Sequence, residues 1–313
     1  MILNVCPNPS IDTYAWLEDL QPGHSNRITK LVEFPGGKAT HIAMALQELG
    51  QSNTLMANWA GNTGEWIKEQ CATGGIRISG ISIEGQNRKC YTFRSDNPAF
   101  ANTELLEPGP VFNSNHWNEF KSVFEKEIKN HELICISGSW PKGASNTATK
   151  ELVDFVNKAG KKVIIDCSGE QLKKSLTTSF FGIHLNEHEA SELLGTDSVD
   201  KSIAILRQKA ELIAITKGAE GLWLYYKDEL FHANVHLDQV ISTVGAGDCL
   251  TAGIAYAVYH DFSPERTAAY GAACGAANCL HEELGALEKQ TVERLLEKVV
   301  VKKIKLNTTN YAD

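Results

Sequence analysis

Long apolar runs and an excess of basic charge are both missing from this 313-residue chain. No stretch approaches the length of a bilayer-spanning helix, so a membrane span is not expected. A formal net charge of −8 argues against a protein that wraps nucleic acid or lies on an anionic membrane. Repeats, low-complexity segments and flexible linkers are absent too, which favours one core with excursions over tethered domains. Paired cysteines are lacking: the eight residues at 6, 71, 90, 135, 167, 249, 274 and 279 form no CxxC and have no zinc-type histidine spacing. Most lie among apolar or small residues, where free cysteine behaves as a small hydrophobe. A reduced, cytoplasmic protein without a disulfide framework is expected. The stretch Met1 to Pro9 has no basic region and meets proline too soon for a signal peptide; it reads as a first strand. That strand is not followed by GxGxxG with an acid some way on, as a nicotinamide-dependent oxidoreductase would require.

What is present is an ordinary globular balance, 22% charged and 42% hydrophobic, at a length that exceeds one simple domain. From Trp117 onwards strands and helices alternate: helix Trp117–Asn130, strand Leu133–Ser137, helix Asn146–Ala159, strand Lys162–Asp166, strand Gly182–Leu185, helices Glu187–Leu194 and Val199–Lys209, strand Leu212–Thr216. Such alternation predicts a mostly parallel sheet covered on both faces. Upstream, Thr54–Ala60 reads as a strand, Glu65–Thr73 as a helix and Ile76–Ile83 as a strand. The two segments at 12–34 and 88–106 have strand-like alternation and turn residues. They read as a small β subdomain inserted into an α/β core formed by 1–11, 35–87 and 107–313.

Glycine turns carry the chemical signal. Ser242-Thr-Val-Gly-Ala-Gly-Asp248 follows Val235–Ile241, predicted as a strand, and precedes an apolar run long enough for a buried helix. Gly245 and Gly247 can approach an anion closely, and the helix N-terminus behind them offers unpaired N–H donors. Asp248 would then stand beside the anion, where a carboxylate serves as a base for an attacking hydroxyl; a plain helix cap would look the same. A second turn, Pro35-Gly36-Gly37-Lys38, feeds the helical pattern Ile42, Ala45, Leu46, Leu49. A third, Thr216-Lys-Gly-Ala-Glu-Gly221, joins two predicted strands. Asp12, Ser137 to Ser139, Asp166, Asn186, Thr216 and Asp248 all fall at strand ends or helix starts. In a parallel sheet those positions line one cleft.

Together, Thr243-Val-Gly-Ala-Gly-Asp248, Gly36-Gly37-Lys38, Asn186-Glu-His-Glu189 and Thr216 to Gly221 resemble the ribokinase family of carbohydrate kinases over nearly the whole chain. Asn8-Pro-Ser-Ile-Asp12 and Ile136-Ser-Gly-Ser-Trp-Pro141 resemble its 1-phosphofructokinase and tagatose-6-phosphate kinase branch. The resemblance implies a three-layer α/β/α core with a small β lid, and ATP-dependent phosphorylation of a ketohexose phosphate, fructose 1-phosphate first. It assigns Asp248 as catalytic base and Gly245, Ala246 and Gly247 as the anion hole. Asn186 and Glu189 would act on Mg2+ through water, and Thr216, Lys217, Gly218, Gly221 and Asn278 would line the nucleotide site. Asp12, Gly36, Gly37, Lys38 and His41 would meet the sugar, with Arg88 and Ser139 on its phosphate. A monovalent cation and a homodimer formed through the lid are further implications. The family usually has asparagine where this chain has His41, which leaves the sugar's identity open. Tagatose 6-phosphate or fructose 6-phosphate as the acceptor, a kinase for an unphosphorylated sugar or nucleoside, and a catalytically silent sugar sensor are the alternatives; retention of Asp248 speaks against the last.

Overall fold

Every residue of Ile2–Cys6 is buried, the mark of a strand with helices over both faces. A computed structural model describes residues 1–305. Its strands are β1 (Ile2–Cys6), β2 (Ser10–Trp16), β3 (Lys30–Gly36), β4 (Asn53–Ala60), β5 (Arg77–Ile83), β6 (Arg88–Arg94), β7 (Glu104–Leu106), β8 (Leu133–Ser137), β9 (Lys162–Asp166), β10 (Phe180–Asn186), β11 (Ala210–Thr216), β12 (Leu222–Tyr226), β13 (Glu229–Asn234) and β14 (Val300–Ile304). Its helices are α1 (Lys38–Glu48), α2 (Gly61–Thr73), α3 (Ser114–Glu127), α4 (Ala148–Lys158), α5 (Gly169–Ser175), α6 (Glu187–Leu194), α7 (Val199–Leu206), α8 (Ala246–Tyr259), α9 (Pro264–Asn278) and α10 (Lys289–Leu296).

Ten strands form one sheet in the order β14-β13-β12-β11-β10-β9-β8-β1-β4-β5. From β11 to β5 all neighbours are parallel, whereas β12, β13 and β14 add on antiparallel. Alternation sorts the side chains between the two faces. Ile2, Leu133, Cys135 and Ile164 pack against Ile42 and Leu46 of α1, Leu250 and Ile254 of α8, and residues of α9 and α10. Leu3, Val5, Ile134, Ile136, Val163 and Ile165 pack on the other side against Phe120 and Phe124 of α3, Val153 and Val156 of α4, and Ile203 of α7. The three-layer α/β/α core anticipated from the sequence is therefore the observed one. The chain leaves β1 for β4 on one side and returns to β8 on the other, so β1 and β8 flank a topological switch point, where open α/β sheets bind ligands.

A separate four-stranded lid sheet runs β3-β2-β6-β7, with β2 antiparallel to β3 and parallel to β6. It starts at Ser10 and runs on through Gly36, slightly beyond the segments read from the sequence. Ala15, Leu17, Phe93 and Phe100 form its own small core.

One expectation fails. Val235–Ile241 is not a strand; the last strand before the glycine turn, β13, ends at Asn234. The Val235 N–H donates to the Asn234 side chain and the Ile241 N–H to the Cys279 carbonyl, while Val240 and Ile241 face solvent. Branched side chains without a neighbouring strand to pack against do not make a sheet. Elsewhere boundaries shift: α2 starts at Gly61, ahead of the predicted Glu65, and α7 stops at Leu206, short of Lys209. All eight cysteines are free. Among the described residues no helix is long and apolar enough to cross a membrane.

Helix α8 carries Asp248 and is seated by close packing on α9. A Cβ at Gly253 would stand 2.6 Å from the Tyr270 carbonyl oxygen and 2.8 Å from Cys274 Sγ. Gly253→Ala should therefore destabilise the fold by about 1–3 kcal/mol despite alanine's better helix propensity. Thermal unfolding would register a lower Tm, and an equal or higher Tm would contradict this account of the α8–α9 contact.

Candidate active site

Gly245 caps α8 in the left-handed region at φ 85°, and a Cβ on it would collide with the Gly285 backbone nitrogen at 2.5 Å. Only glycine meets both demands. The Ala246 N–H turns back to the Thr243 carbonyl, 3.2 Å, and the Cys249 N–H to that of Gly245, 2.9 Å. The N–H groups of Gly247 and Asp248 between them have no acceptor among the described residues, and a helix start with open donors is an anion cradle. Asp248 is buried in the same turn, its side chain 10% exposed.

His41, one turn into α1, reaches across to it. Its Nδ1–H donates to Asp248 Oδ2 at 2.7 Å, and its Nε2 lies 3.3 Å from Asp12 Oδ2, at ion-pair distance but outside hydrogen-bond geometry. The ring is packed against Gly285, where a Cβ would fall 2.3 Å from His41 Cγ. Asp12 sits on β2 and accepts the Ser10 hydroxyl at 2.6 Å. Burial by itself would lower the His41 pKa, but the carboxylates of Asp12 and Asp248 outweigh it and lift it to about 10. Burial would likewise raise the Asp12 carboxyl, yet the His41 ring and the Ser10 hydroxyl hold it below the ordinary range. Burial pushes Asp248 up, against the opposing pull of His41 and Lys38.

A second string adjoins it, buried at Asp166 and His184 and partly exposed at Lys38. Lys38 Nζ contacts Asp166 Oδ1 at 2.7 Å and Glu189 Oε1 at 3.6 Å. His184 Nδ1 lies 3.1 Å from Asp166 Oδ2, and its Nε2 is 3.3 Å from Thr216 Oγ1. The Thr251 hydroxyl, 3.1 Å from His184 Nδ1, is also 3.0 Å from the Gly247 carbonyl, to which it can donate. Burial opposes ionisation of Lys38 and Asp166, but each holds the other charged: the lysine is raised and the carboxyl depressed. All three glycine turns thus converge on one network.

The remaining candidates fall around this centre. Arg88 Nε donates to the Asn8 carbonyl at 3.3 Å, and Asn8 Nδ2 to Ser139 Oγ at 3.5 Å, so Arg88 and Ser139 flank one asparagine. Gly138 lies against the Lys38 side chain, which brings this group to the Gly36-Gly37-Lys38 turn. Asn186 and Glu189 form a reciprocal capping box on α6; Glu189 Oε1 remains outside it. Lys217 closes the turn to Gly221 through a 3.0 Å backbone bond, with Gly218 inside it. Asn278 donates to the Ala286 carbonyl at 3.0 Å and pins residues 281–288 beside Gly245; its Oδ1 has no partner among the described residues. His184, Thr251 and Gly285 escaped the sequence reading. His184 left one trace, as the single polar residue in Phe180-Phe-Gly-Ile-His-Leu185.

The fold and the glycine turns along one sheet edge define a sugar kinase of the ribokinase type. Residues 8–290 match the pfkB family carbohydrate kinase model, and the chain belongs to that family: it is a phosphotransferase with an alcohol acceptor, of a family that uses ATP. Among solved structures it is similar to Escherichia coli phosphofructokinase-2 in complex with potassium, at 23% identity and a TM-score of 0.86 over 95% of this chain and 98% of that one. The same enzyme with fructose-6-phosphate gives 22% and 0.85 over the same shares. A Thermotoga maritima protein named as a possible 1-phosphofructokinase gives 21% and 0.87, over 97% and 100%. These likenesses concern the fold.

His41 makes a prediction about stability. Its ordinary pKa is 6.5 and its folded value about 10, so the folded chain binds this proton more tightly. The stabilisation is complete below about pH 6.5 and is lost as pH rises towards 10. Urea midpoints should show the wild-type advantage over His41→Asn shrinking across that window; a constant or growing advantage would contradict a charged imidazole.

Proposed function

We propose that this kinase transfers the γ-phosphoryl group of ATP to a hydroxyl of a ketohexose phosphate, fructose 1-phosphate first, giving fructose 1,6-bisphosphate. The observation that carries the reading is the Arg88–Asn8–Ser139 group beside the Lys38 turn: a guanidinium and a hydroxyl at the acceptor side suit a phosphate already present on the sugar. Fructose 6-phosphate is the second reading, favoured by the ligand named for the E. coli neighbour, with tagatose 6-phosphate behind it.

In this reading Asp12 and the Gly36-Gly37-Lys38 turn hold the sugar hydroxyls. Asp248 Oδ1, which has no partner among the described residues, takes the acceptor proton as the oxygen bonds to the γ-phosphorus. The bond from that phosphorus to the β,γ-bridging oxygen breaks and ADP leaves. The Gly245-Ala246-Gly247 turn faces the migrating group, chiefly through the N–H groups of Gly247 and Asp248. Thr216 to Gly221 and Asn278 would line the nucleotide site. The hard oxygen Glu189 Oε1, free of the α6 cap, fits water-mediated contact with a hydrated magnesium ion, Asn186 holding that helix start in place. When bound, the ion neutralises charge on the β- and γ-phosphates. A monovalent cation is included because the E. coli neighbour is described with potassium. A cytoplasmic homodimer joined through the lid fits the free thiols and the exposed Leu31, Leu105 and Leu106 of the lid strands.

Two measurements test these roles. Asp248→Asn should lower turnover by at least ~10²-fold while ATP still binds; near wild-type turnover would refute the base assignment. Arg88→Ala should raise KM for phosphorylated sugars by about 10–100-fold, the worth of charge-assisted hydrogen bonds, and leave free sugars unaffected. ADP release over a panel of free and phosphorylated sugars reads both, and indifference to the sugar's phosphate would remove the ketohexose phosphate from consideration.

A further inference from the structure

The family's usual asparagine would be neutral where this chain has an imidazole lodged between two carboxylates. His41 is 3% exposed, so water screens it little. The groups facing it are Asp248 from α8, at 2.7 Å, and Asp12 from β2, at 3.3 Å. Around these carboxylates lie Lys38 on the same helix, Asp166 on β9, Arg88 on β6 and Glu104 on β7. Gly285 presents its backbone to the ring.

We propose that His41 is a positioning residue that works as a cation: it fixes Asp248 by one oxygen, turns the other to the acceptor hydroxyl, and keeps the carboxylate ionised between turnovers. The inference rests on Asp248 being the base. The geometry supports it in two ways. The bond to Oδ2 occupies one carboxylate oxygen and leaves Oδ1 with no partner among the described residues, on a side chain that still reaches the surface. Asp12 on the far side of the ring keeps the imidazolium balanced when Asp248 is neutralised by the acceptor proton, so His41 need not lose its own proton during the step. The proton passes from the sugar oxygen to Oδ1, the oxygen–phosphorus bond forms, and the ring's two N–H bonds are unchanged. An asparagine could supply the hydrogen bond but not the charge. Without the cation, burial acts on Asp248 less opposed and its affinity for a proton rises.

The test is the pH dependence of kcat at saturating ATP and sugar for wild type, His41→Asn and His41→Gln. Both variants should move the acid limb upwards by about one unit or more, the usual effect of a removed neighbouring charge, so that turnover on the limb drops about tenfold or more and recovers towards alkaline pH. His41→Gln keeps an amide donor, so a wild-type limb in that variant would overturn the role of charge. An unmoved or downward-shifted limb in His41→Asn would do the same. Nitrogen-15 NMR of the wild-type ring should find both nitrogens protonated at pH 8, and a neutral ring would overturn the proposal without reference to activity. Failure of the base reading would be seen separately, as turnover retained by Asp248→Asn.

Discussion

An imidazole between the buried carboxylate of Asp248 and the partly buried one of Asp12 holds three parts of the molecule in register: the lid strand β2 through Asp12, helix α1 through His41 itself, and helix α8 through Asp248. Charges taken out of water cost several kcal/mol each unless they meet partners in good geometry. None of these groups is therefore independent of the others. The Lys38–Asp166–His184 string below has the same logic, and Thr251 joins it to the carbonyl of Gly247 in the anion cradle. The His41 bridge and the Lys38 string are two ends of one charged layer at the sheet's carboxyl edge, beside the topological switch point.

That layer can sit where it does because the surrounding chain is thin. The Gly245 turn touches the backbone at Gly285, and Gly285 touches the His41 ring, at separations no side chain could share. Asn278 fastens this loop by its bond to Ala286. Below the turn, the small residues of α8 and α9 let the two helices approach closely, which sets the depth of Asp248. The apolar faces of the sheet supply the stability, and the polar edge spends some of it on a fixed constellation.

Much of this was legible in the chain, for definite physical reasons. Parallel strands buried on both faces have a simple apolar signature, and Leu133–Ser137 and Lys162–Asp166 are placed to the residue. Glycine turns followed by helical patterns announced the edge where Lys38 and Asp248 stand at the starts of α1 and α8. Val235–Ile241 misled because branched residues have the same composition in an exposed loop as in a strand, and only the absence of a neighbour separates them. His184 gave a weak signal because one polar residue in a buried run has many explanations. The His41 bridge was invisible: residues 12, 41 and 248 share no local pattern, and their meeting is a product of the fold. The sequence could flag histidine in an asparagine position, not what the ring would touch.

The lid is tied to this centre a second time. Tyr14 of β2 bonds through its hydroxyl to Ser242 Oγ at 2.9 Å, buried, across 228 residues of chain. Ser242 Oγ in turn accepts the Val244 N–H at 3.3 Å, at the start of the turn that leads into the cradle. Arg94 of β6 lies 4.9 Å from the Tyr14 ring centre and donates to the Ile241 carbonyl at 3.4 Å. The segment Ile241–Val244, which joins the loop found in place of the expected strand Val235–Ile241 to the glycine turn, is thus held in part by lid side chains. The lid sheet and the turn that leads into α8 are therefore joined by side-chain bonds for which local sequence provides no code.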